Sequence, residues 1–383
     1  MRELLEFCNT ENQRSIVEAV IEHGSNRKAA KALGRSVGGV GEVMSTVRKR
    51  AAKAGVGDHY VKQDTPPGFS VKGTSTLYGP DGEVKGQWVK TRAEDEQRAE
   101  LAAEAAKALA EGIKAQAPIK APKATQSRLC NVYTMTDCHI GMMAWRAEGG
   151  EDWDLKIAEE TLTRCFEQMV VSSPAADTAI IAQLGDWLHY DSLEAVTPTS
   201  KHILDADGRF AKMVQVAVRV LRHLVNCALQ NHKKVILLCA EGNHDLASSV
   251  WLRIMFAALY ENEKRVTVVQ SECPYYAHQH GETMLTWHHG HLKRPADLPL
   301  LSATQFPEMW GATKKRYGHL GDKHHLDEKE YSGMIVRQHP TLAARDAYAS
   351  RHGWHALRAA TGITYHETYG EVGRSTVYPE MVR

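Results

Sequence analysis

The sequence predicts an α/β protein preceded by a small helical unit. Beyond residue 129, short apolar runs alternate with longer amphipathic runs, a pattern typical of alternating strands and helices. Before residue 57, apolar residues recur at the spacing of helices, and Gly24 and Gly34 interrupt that spacing. At 383 residues the chain is long enough for more than one folded unit. We therefore expect two units of different structural class.

Three helices are predicted within residues 1–56. They cover residues 12–23, 26–33 and 37–53, and each carries apolar side chains on one face. Three glycines near the start of the third helix lower its helix propensity by about 1 kcal/mol each. Three short helices with a tight turn before the last one resemble a helix-turn-helix unit.

The same region carries ten Lys and Arg residues against six Asp and Glu residues, in a chain whose net charge is only +1. A helix-turn-helix unit would place its third helix in the major groove of DNA. The contacts to phosphates would come from four basic side chains: Arg35, Arg48, Lys49 and Arg50. A small helical bundle that binds another protein would show the same pattern. DNA is the partner that we expect.

The middle of the chain is predicted to separate the two units. Residues 57–90 have the pattern of a β-hairpin, with a reverse turn at Pro80-Asp81-Gly82. Ala, Glu and Lys dominate residues 91–116, which predicts a long exposed helix, and residues 117–128 have the Pro and Lys content of a linker. We accordingly divide the chain into residues 1–56, 57–90, 91–128 and 129–383.

The composition predicts a cytoplasmic protein with no membrane partner. Seven cysteines show no paired spacing, which is typical of reduced thiols. No leader sequence opens the chain, and no apolar run approaches the roughly 20 residues that a membrane span requires. The sequence leaves open whether the protein forms a homo-oligomer.

Four polar clusters follow apolar, strand-like runs. They lie at residues 137–139, 185–189, 242–245 and 287–291. In open α/β sheets ligands bind beyond the carboxyl ends of strands, which is where all four clusters are expected. Of the 20 histidines only two precede residue 130, so we place the chemistry in the second unit.

Five residues in these clusters have side chains suited to binding metal ions: Asp137, His139, Asp186, Asn243 and His289. Carboxylate, imidazole and amide donors suit Mn²⁺, Zn²⁺ or Fe, whereas a soft site would use thiolates. The number of donor side chains is greater than one tetrahedral ion needs. One carboxylate could bridge two ions about 3.5–4 Å apart, an arrangement suited to phosphoester hydrolysis.

The order Asp-x-His, Gly-Asp, Gly-Asn-His-Asp and His-Gly-His resembles the calcineurin-like metallophosphoesterase superfamily over residues 129–336. The resemblance implies a β-sandwich flanked by helices, with layers in the order α/β/β/α. It also implies two divalent ions, of which we expect Mn²⁺ first, with Zn²⁺, Fe or Mg²⁺ as alternatives. Asp137 and His139 would bind the first ion, and Asp186 would bridge both. Asn243 and His289 would bind the second.

The resemblance also implies roles beyond metal binding. His244 would contact the phosphate and protonate the leaving oxygen, and Asp245 would orient the imidazole of His244. His189 stands where many members have aspartate or asparagine, a form similar to the superfamily's double-strand-break repair nucleases. In that branch the corresponding histidine assists catalysis, so His189 would contact the substrate. The alternative is a histidine that packs beside the ligands.

The last motif of the family, Gly-His-x-His, is altered in this chain. The region reads Gly318-His319-Leu320-Gly321-Asp322-Lys323-His324. Either His319 starts the motif and its second histidine is missing, or aspartate replaces the first histidine. We expect the second arrangement, because it keeps the donor-x-donor spacing. It would put Asp322 on the second ion and His324 on the first.

Together these features predict a DNA phosphodiesterase, a nuclease in which metal-activated hydroxide attacks phosphorus. Two alternatives remain. One is a phosphodiesterase or phosphomonoesterase that acts on small molecules, and the other is a DNA-binding regulator with a degenerate metal site. The whole architecture also resembles reading frames of bacteriophages, which would place the protein in the host cytoplasm.

Overall fold

The structure is a computed structural model that describes residues 2–53, 69–78, 84–93, 119–198 and 201–382. For residues 2, 52–53, 69–78 and 84–93 it describes the backbone alone. The chain forms two compact units, Met1–Ala99 and Glu100–Arg383, and each is described by itself. None of the helices among the described residues is long and apolar enough to cross a membrane.

In the first unit, three helices follow a short 3-10 helix at Arg2–Phe7. They confirm the three predicted helices and are α1 (Glu11–His23), α2 (Asn26–Ala32) and α3 (Val37–Lys53). Gly24 ends α1 with a left-handed φ of 72°. The Ser25 side chain begins α2 by accepting a hydrogen bond of 3.3 Å from the Lys28 amide.

Helix α3 forms despite its three glycines because its apolar face is buried. Val40, Met44 and Val47 are each at most 1% exposed, in one core with side chains of α1 and α2. Burying such side chains stabilises the fold by roughly 1.5–3 kcal/mol each, which is more than the glycines cost. The position of the third predicted helix is therefore decided by packing.

The basic side chains of this unit differ in how far they are exposed to solvent. Arg50, which we expected near DNA phosphates, instead donates hydrogen bonds to the Gln13 side chain at 2.9 Å and to the Phe7 carbonyl at 3.4 Å. These contacts hold Nη1 of Arg50 against the unit. Five basic side chains on and between α2 and α3 are exposed: Arg27, Lys28, Lys31, Arg35 and Lys49. Arg48, also expected near phosphates, is partly buried.

The first unit also contains a two-stranded antiparallel hairpin, which confirms the predicted one. Its strands are β1 (Phe69–Tyr78) and β2 (Val84–Ala93). The predicted turn at residues 80–82 lies outside the described residues. The long helix predicted from residue 91 is wrong at its start, because residues 91–93 pair with residues 69–71 and continue the ladder.

The segment between the units is described only in part. Residues 94–118, which include the rest of the predicted helix, lie outside the described residues. Residues 119–125 of the predicted linker form neither helix nor strand, whereas residues 126–128 already belong to a β-strand, so the linker prediction is wrong at its end. The predicted boundary within residues 117–128 stays a prediction.

The second unit is built on two β-sheets. The first has six strands among the described residues: β3 (Gln126–Met135), β4 (Ala176–Gln183), β5 (Lys234–Cys239), β6 (Val266–Val268), β12 (Ala360–His366) and β13 (Gly370–Val377). The second has five: β7 (Tyr276–His280), β8 (Thr283–Trp287), β9 (Lys315–Leu320), β10 (Asp327–Tyr331) and β11 (Met334–Gln338). Their spatial orders are β13-β12-β3-β4-β5-β6 and β10-β11-β9-β8-β7.

Helices cover the outer faces of both sheets. Within the described part of this unit they are α4 (Arg146–Gly149), α5 (Leu155–Ser172), α6 (Phe210–Asn231), α7 (Leu246–Leu259), α8 (Leu298–Gln305), α9 (Pro307–Ala312) and α10 (Ala347–Arg351). Phe166 of α5 packs with Tyr133 of β3, whereas Val132 faces the opposite way, toward Leu285 of the second sheet. Leu298 of α8 packs on the other face of that sheet. The layers are therefore α/β/β/α, as expected.

Parallel pairing brings the carboxyl ends of several strands together. Strand β4 lies parallel to both β3 and β5, with Met135 opposite Gln183 and Gln183 opposite Cys239. Strands β8 and β9 are also parallel, with Trp287 opposite His319. Each predicted polar cluster follows one of these five strands. The fold thus explains why residues far apart in sequence meet.

Two buried imidazoles form a pair: that of His319, near the end of β9, and that of His339, directly after β11. Each side chain is 1% exposed, and Nδ1 of His319 lies 2.9 Å from Nε2 of His339. Burial lowers the pKa of both imidazoles, that of His339 to about 3. A group whose pKa is lower in the folded than in the unfolded chain binds fewer protons when folded. The free energy of unfolding therefore falls as the pH drops below about 6.5.

We expect each of these imidazoles to lower the free energy of unfolding by about 2 kcal/mol between pH 6.5 and pH 5. Urea unfolding at both pH values measures this change. His339→Gln lacks one of the two titrating groups. The decrease in its free energy of unfolding between pH 6.5 and pH 5 should therefore be smaller than that of the wild type by about 2 kcal/mol. An equal decrease in the two proteins would contradict the assignment.

Candidate metal centre

The structure brings the predicted site residues together at one edge of the second unit. They lie in five loops, each of which follows a strand: Asp137 and His139 after β3; Asp186 and His189 after β4; Asn243, His244 and Asp245 after β5; His289 after β8; Asp322 and His324 after β9. Most of these side chains are buried, while Asn243, His244, Asp322 and His324 are partly exposed. The cluster is therefore open on one side.

Half of these residues have an unusual backbone conformation. A left-handed φ, between 42° and 72°, occurs at Asp137, His139, Asp186, Asp322 and His324. Among the described residues, Lys201 is the one other non-glycine residue with a positive φ. Such residues cost about 1–3 kcal/mol each and collect at functional sites. The local backbone is strained in the loops that hold the predicted ligands.

The first group of ligand atoms comes from Asp137, His139 and His324, and these atoms all lie within 4.8 Å of one another. Nε2 of His324 is 3.2 Å from Oδ1 of Asp137 and 3.2 Å from Nε2 of His139. Two imidazole nitrogens and a carboxylate oxygen thus point at one place. These are the three residues predicted for the first metal ion.

The second group is centred on His289, whose side chain is fully buried. Its Nε2 lies 3.3 Å from Oδ2 of Asp186, 3.3 Å from Oδ1 of Asn243 and 3.9 Å from Oδ1 of Asp322. Its Nδ1 donates a hydrogen bond of 2.8 Å to the Leu184 carbonyl. A histidine held by a backbone carbonyl in this way presents its other nitrogen to a metal ion. This group contains the residues predicted for the second ion.

The carboxylate of Asp186 lies between the two groups. Its Oδ2 is 3.3 Å from Nε2 of His289 and 4.0 Å from Nε2 of His139. Burial acts to lower the pKa of His289, yet the nearby carboxylates, Asp186 first, raise that pKa to about 10. The pocket therefore favours positive charge. Together with the mixture of carboxylate, imidazole and amide donors, this fits two divalent cations.

The structure distinguishes between the two arrangements that the sequence allows for the altered last motif. Both ring nitrogens of His319 are engaged, Nδ1 by His339 at 2.9 Å and Nε2 by the Tyr365 hydroxyl at 3.2 Å. Asp322 lies in the cluster instead, and its amide donates to Oδ1 of Asp137 at 3.0 Å. The geometry therefore favours Asp322 over His319 as the ligand.

His244 lies at the open side of the cluster. Its Nδ1 is 2.7 Å from the His189 carbonyl oxygen, and a carbonyl can only accept, so Nδ1 carries the proton of this hydrogen bond. Its ring meets that of His139 edge-on, with centroids 4.8 Å apart. This arrangement leaves Nε2 of His244 available to a substrate.

Asp245 does not contact the imidazole of His244 as we expected. Its carboxylate is fully buried and accepts hydrogen bonds from four backbone amides, those of Gly242, Asp186, Trp187 and Leu188, at 2.7–3.2 Å. It therefore joins the loop after β4 to the loop after β5. Burial, followed by the charge of Asp186, raises the pKa of Asp245. The orientation of His244 comes from the His189 carbonyl instead.

His189 is 2% exposed, and its Nδ1 lies 3.3 Å from Nδ1 of His139. Its ring stacks on that of His244 at a centroid distance of 5.6 Å. Burial, followed by the charge of His244, lowers the pKa of His189 to about 3, so the imidazole is neutral. This position agrees better with packing beside the ligands than with direct contact to a substrate.

Three polar side chains that sequence reasoning missed support the cluster. Thr136 donates to Oδ2 of Asp137, and Thr341 donates to the Asp137 carbonyl, both at 2.6 Å. Asp191 accepts hydrogen bonds from the backbone amides of Ala247 and Ser248 at the start of α7, at 2.5 and 2.8 Å. Thr136 directly precedes one predicted cluster and Asp191 lies two residues beyond another, a signal that could have identified them. Thr341 is 204 residues from Asp137 and gives no such signal.

Gly242 and Gly321 permit close approach between the loops. A methyl group at Gly242 would overlap the carboxylate and amide nitrogen of Asp186. At Gly321 it would overlap Oγ1 of Thr136 and lie 2.8 Å from Oδ2 of Asp137. Neither glycine has a positive φ, so the requirement is one of space. A side chain at either position would displace a predicted ligand.

We therefore expect Gly242→Ala to lose at least one bound metal ion per chain, because the added methyl group moves Asp186. Metal content after Mn²⁺ loading and dialysis measures this. Gly311→Ala is a matched control, because Gly311 lies in α9 and, apart from its chain neighbours and the backbone of its own helix, no atom lies within 4 Å of an added methyl group. The control should keep the wild-type metal content. Full metal content in Gly242→Ala would contradict the role of this contact.

Comparison with known proteins gives matches among solved structures. No protein-family model and no curated protein matches the chain. A predicted phosphoesterase from Streptococcus pneumoniae TIGR4 is 9% identical, with 67% of this chain and 92% of that chain covered and a TM-score of 0.30. A dimetal phosphatase from Danio rerio is 8% identical, with 65% and 98% covered and a TM-score of 0.33. An archaeal phosphodiesterase is 10% identical, with 64% and 98% covered and a TM-score of 0.32. These values are too low to assign the chain to a family.

Proposed function

We propose that the protein is a dinuclear metal-dependent phosphoesterase that hydrolyses phosphodiester bonds in DNA. The observation that carries the proposal is the position of Asp186 between two groups of ligand atoms. One group holds His139 and the other His289, whose Nε2 atoms are 4.0 and 3.3 Å from the same Asp186 oxygen. A shared carboxylate is typical of sites that hold two ions about 3.5–4 Å apart.

The proposed chemistry divides between the ions and the chain. Two bound ions would supply positive charge beside the phosphate and a nucleophile derived from water near neutral pH. His244 would donate a proton from Nε2 to the leaving oxygen, because its Nδ1 proton is already donated to the His189 carbonyl. Asp245 would hold the loop of Asp186 against the loop of His244, because its carboxylate accepts hydrogen bonds from backbone amides of both loops.

DNA is proposed as the substrate on account of the first unit. Its five exposed basic side chains on and between α2 and α3, defined above, can reach phosphates. Helix α3 begins at Val37, two residues after the exposed Arg35. A helix presented in this way is suited to the major groove.

A screen of metals against substrates tests the proposal. The substrates are end-labelled single- and double-stranded DNA and bis-p-nitrophenyl phosphate, each with Mn²⁺, Zn²⁺, Mg²⁺, Fe²⁺ or chelator. We expect Mn²⁺-dependent cleavage of DNA and of the small diester. Turnover of the small diester without binding or cleavage of DNA would instead indicate a small-molecule phosphodiesterase. Fewer than one bound ion per folded chain after Mn²⁺ loading would indicate a regulator with a degenerate metal site.

A further inference from the structure

The chain between β11 and β12 forms a closed loop, residues 341–359, which we call the aromatic loop. At its base the Ala359 amide donates to the Thr341 carbonyl at 3.0 Å. Nε of Arg358 donates to the Leu342 carbonyl at 2.8 Å. Because its two ends are joined, the residues between them project as one compact unit.

The base of the aromatic loop lies against the candidate metal centre. Thr341 donates its hydroxyl proton to the carbonyl oxygen of Asp137, which belongs to the first ligand group. Ala343 and Ala344 are buried together with Met142, three residues beyond His139. His324, another ligand of that group, has a side chain that is 42% exposed on the same unit. A chain bound at the metal centre therefore has the aromatic loop close by.

The outer part of the aromatic loop carries three rings that are packed on one another and exposed to solvent. Tyr348 is 60% exposed and Trp354 is 57% exposed. The ring of His352 lies 4.3 Å from that of Tyr348 and 4.9 Å from that of Trp354, measured between centroids. These contacts fix the rings while leaving much of their area uncovered. Helix α4, which packs against α10 of the loop, adds the 65% exposed Trp145.

The exposed rings, rather than the charge of the aromatic loop, indicate what could cover them. Residues 345–358 contain three arginines and one aspartate, a formal charge of +2 with both histidines neutral. Glu148 and Glu151 pair with Arg351 and Arg358 and offset this formal charge of +2 in full. Exposed aromatic rings suit a strand that carries unpaired bases, since any base can stack on an exposed ring. Bases within a duplex are covered by their neighbours and cannot do so.

We infer that the aromatic loop binds unpaired bases of a nucleic-acid strand whose phosphodiester lies at the metal centre. This inference rests on the proposed function and makes it narrower, because it selects a single-stranded or frayed substrate. Tyr348 and Trp354 would provide the stacking surface, with His352 holding the two rings in place. The loop residues would position the substrate without taking part in the reaction.

Two oligonucleotides of equal length and charge test the inference: a thymidine strand of about 15 nucleotides and its fully abasic counterpart. Their affinities for the full-length protein are measured by fluorescence anisotropy with chelator present, so that no cleavage occurs. We expect the wild type to prefer the strand with bases. Trp354→Ala and Tyr348→Ala should each reduce that preference about tenfold, whereas Trp354→Phe, which keeps a ring, should retain most of it.

Tyr369→Ala is the matched control, because Tyr369 is 65% exposed and stacks on His366 at the turn after β12, outside the loop. The control should keep the wild-type preference. Unchanged preference in both loop variants overturns the inference while leaving the proposed function intact. Equal loss of affinity for both strands also overturns it, because that result would mean contact through phosphates. Failure of the wild type to bind either strand overturns the inference together with DNA as the substrate.

Discussion

Replacing Asp186 by asparagine should lower the turnover of phosphodiester substrates by about a thousandfold or more and leave fewer than two ions per chain. The amide keeps the size of the side chain but removes the negative charge that both ligand groups share. Oδ2 of Asp186 is the oxygen that lies near both His139 and His289. Metal content and steady-state turnover of bis-p-nitrophenyl phosphate, measured on the same preparation, check this expectation.

Asp297→Asn is the matched control for this carboxylate-to-amide change. Asp297 forms an exposed ion pair with Arg294 at 3.1 Å, and exposed pairs contribute about 0–1 kcal/mol. The control should keep both ions and its turnover. If Asp186→Asn also kept both ions and wild-type turnover, Asp186 would not be a shared ligand.

Replacing His244 by alanine should lower kcat on DNA by about a hundredfold to ten-thousandfold while the metal content stays the same. The expected loss differs between substrates. A DNA strand leaves as an alkoxide that needs a proton, whereas p-nitrophenolate is a stable anion. His244→Ala should therefore cost much less on bis-p-nitrophenyl phosphate than on DNA. The ratio of the two losses is the measurement.

Two results would contradict this role of His244. Equal losses on the two substrates would mean that His244 contacts the phosphate without protonating the leaving oxygen. Loss of a metal ion would make His244 a ligand, since its ring nitrogen also lies within 4.8 Å of those of His139 and His189. His223→Ala is the control, because that exposed imidazole pairs only with Glu167 at 2.7 Å among its described contacts and should not affect turnover.

The positions of the site loops could be predicted from sequence because they depend on strands. An apolar run that ends in a polar cluster marks the carboxyl end of a buried strand, and parallel pairing then brings such ends together. Strand β10 could not be predicted, because Asp327–Tyr331 is an edge strand with four exposed polar residues and no apolar alternation. Sequence patterns detect buried elements better than edges.

The partners of buried polar groups could not be predicted from sequence. Asp245 follows His244 directly, which made a contact between their side chains the natural expectation. The carboxylate instead faces the amides of the loop after β4, about 57 residues earlier in the chain. His319 likewise follows a glycine as a motif histidine would, yet its ring faces His339 and Tyr365. Such choices depend on which way a loop turns after its strand, which sequence spacing does not record.

The left-handed backbone of the candidate ligands has a consequence for which residues can evolve at these positions. The stability of a folded domain is on the order of 5–15 kcal/mol, so two or three residues strained by about 1–3 kcal/mol each take up a large fraction of it. Aspartate and histidine tolerate this conformation better than β-branched residues do, and glycine tolerates it best. Glycine at Asp322 or His324 would thus relieve the backbone strain and remove a donor. Selection for stability and selection for the metal centre oppose each other at these positions.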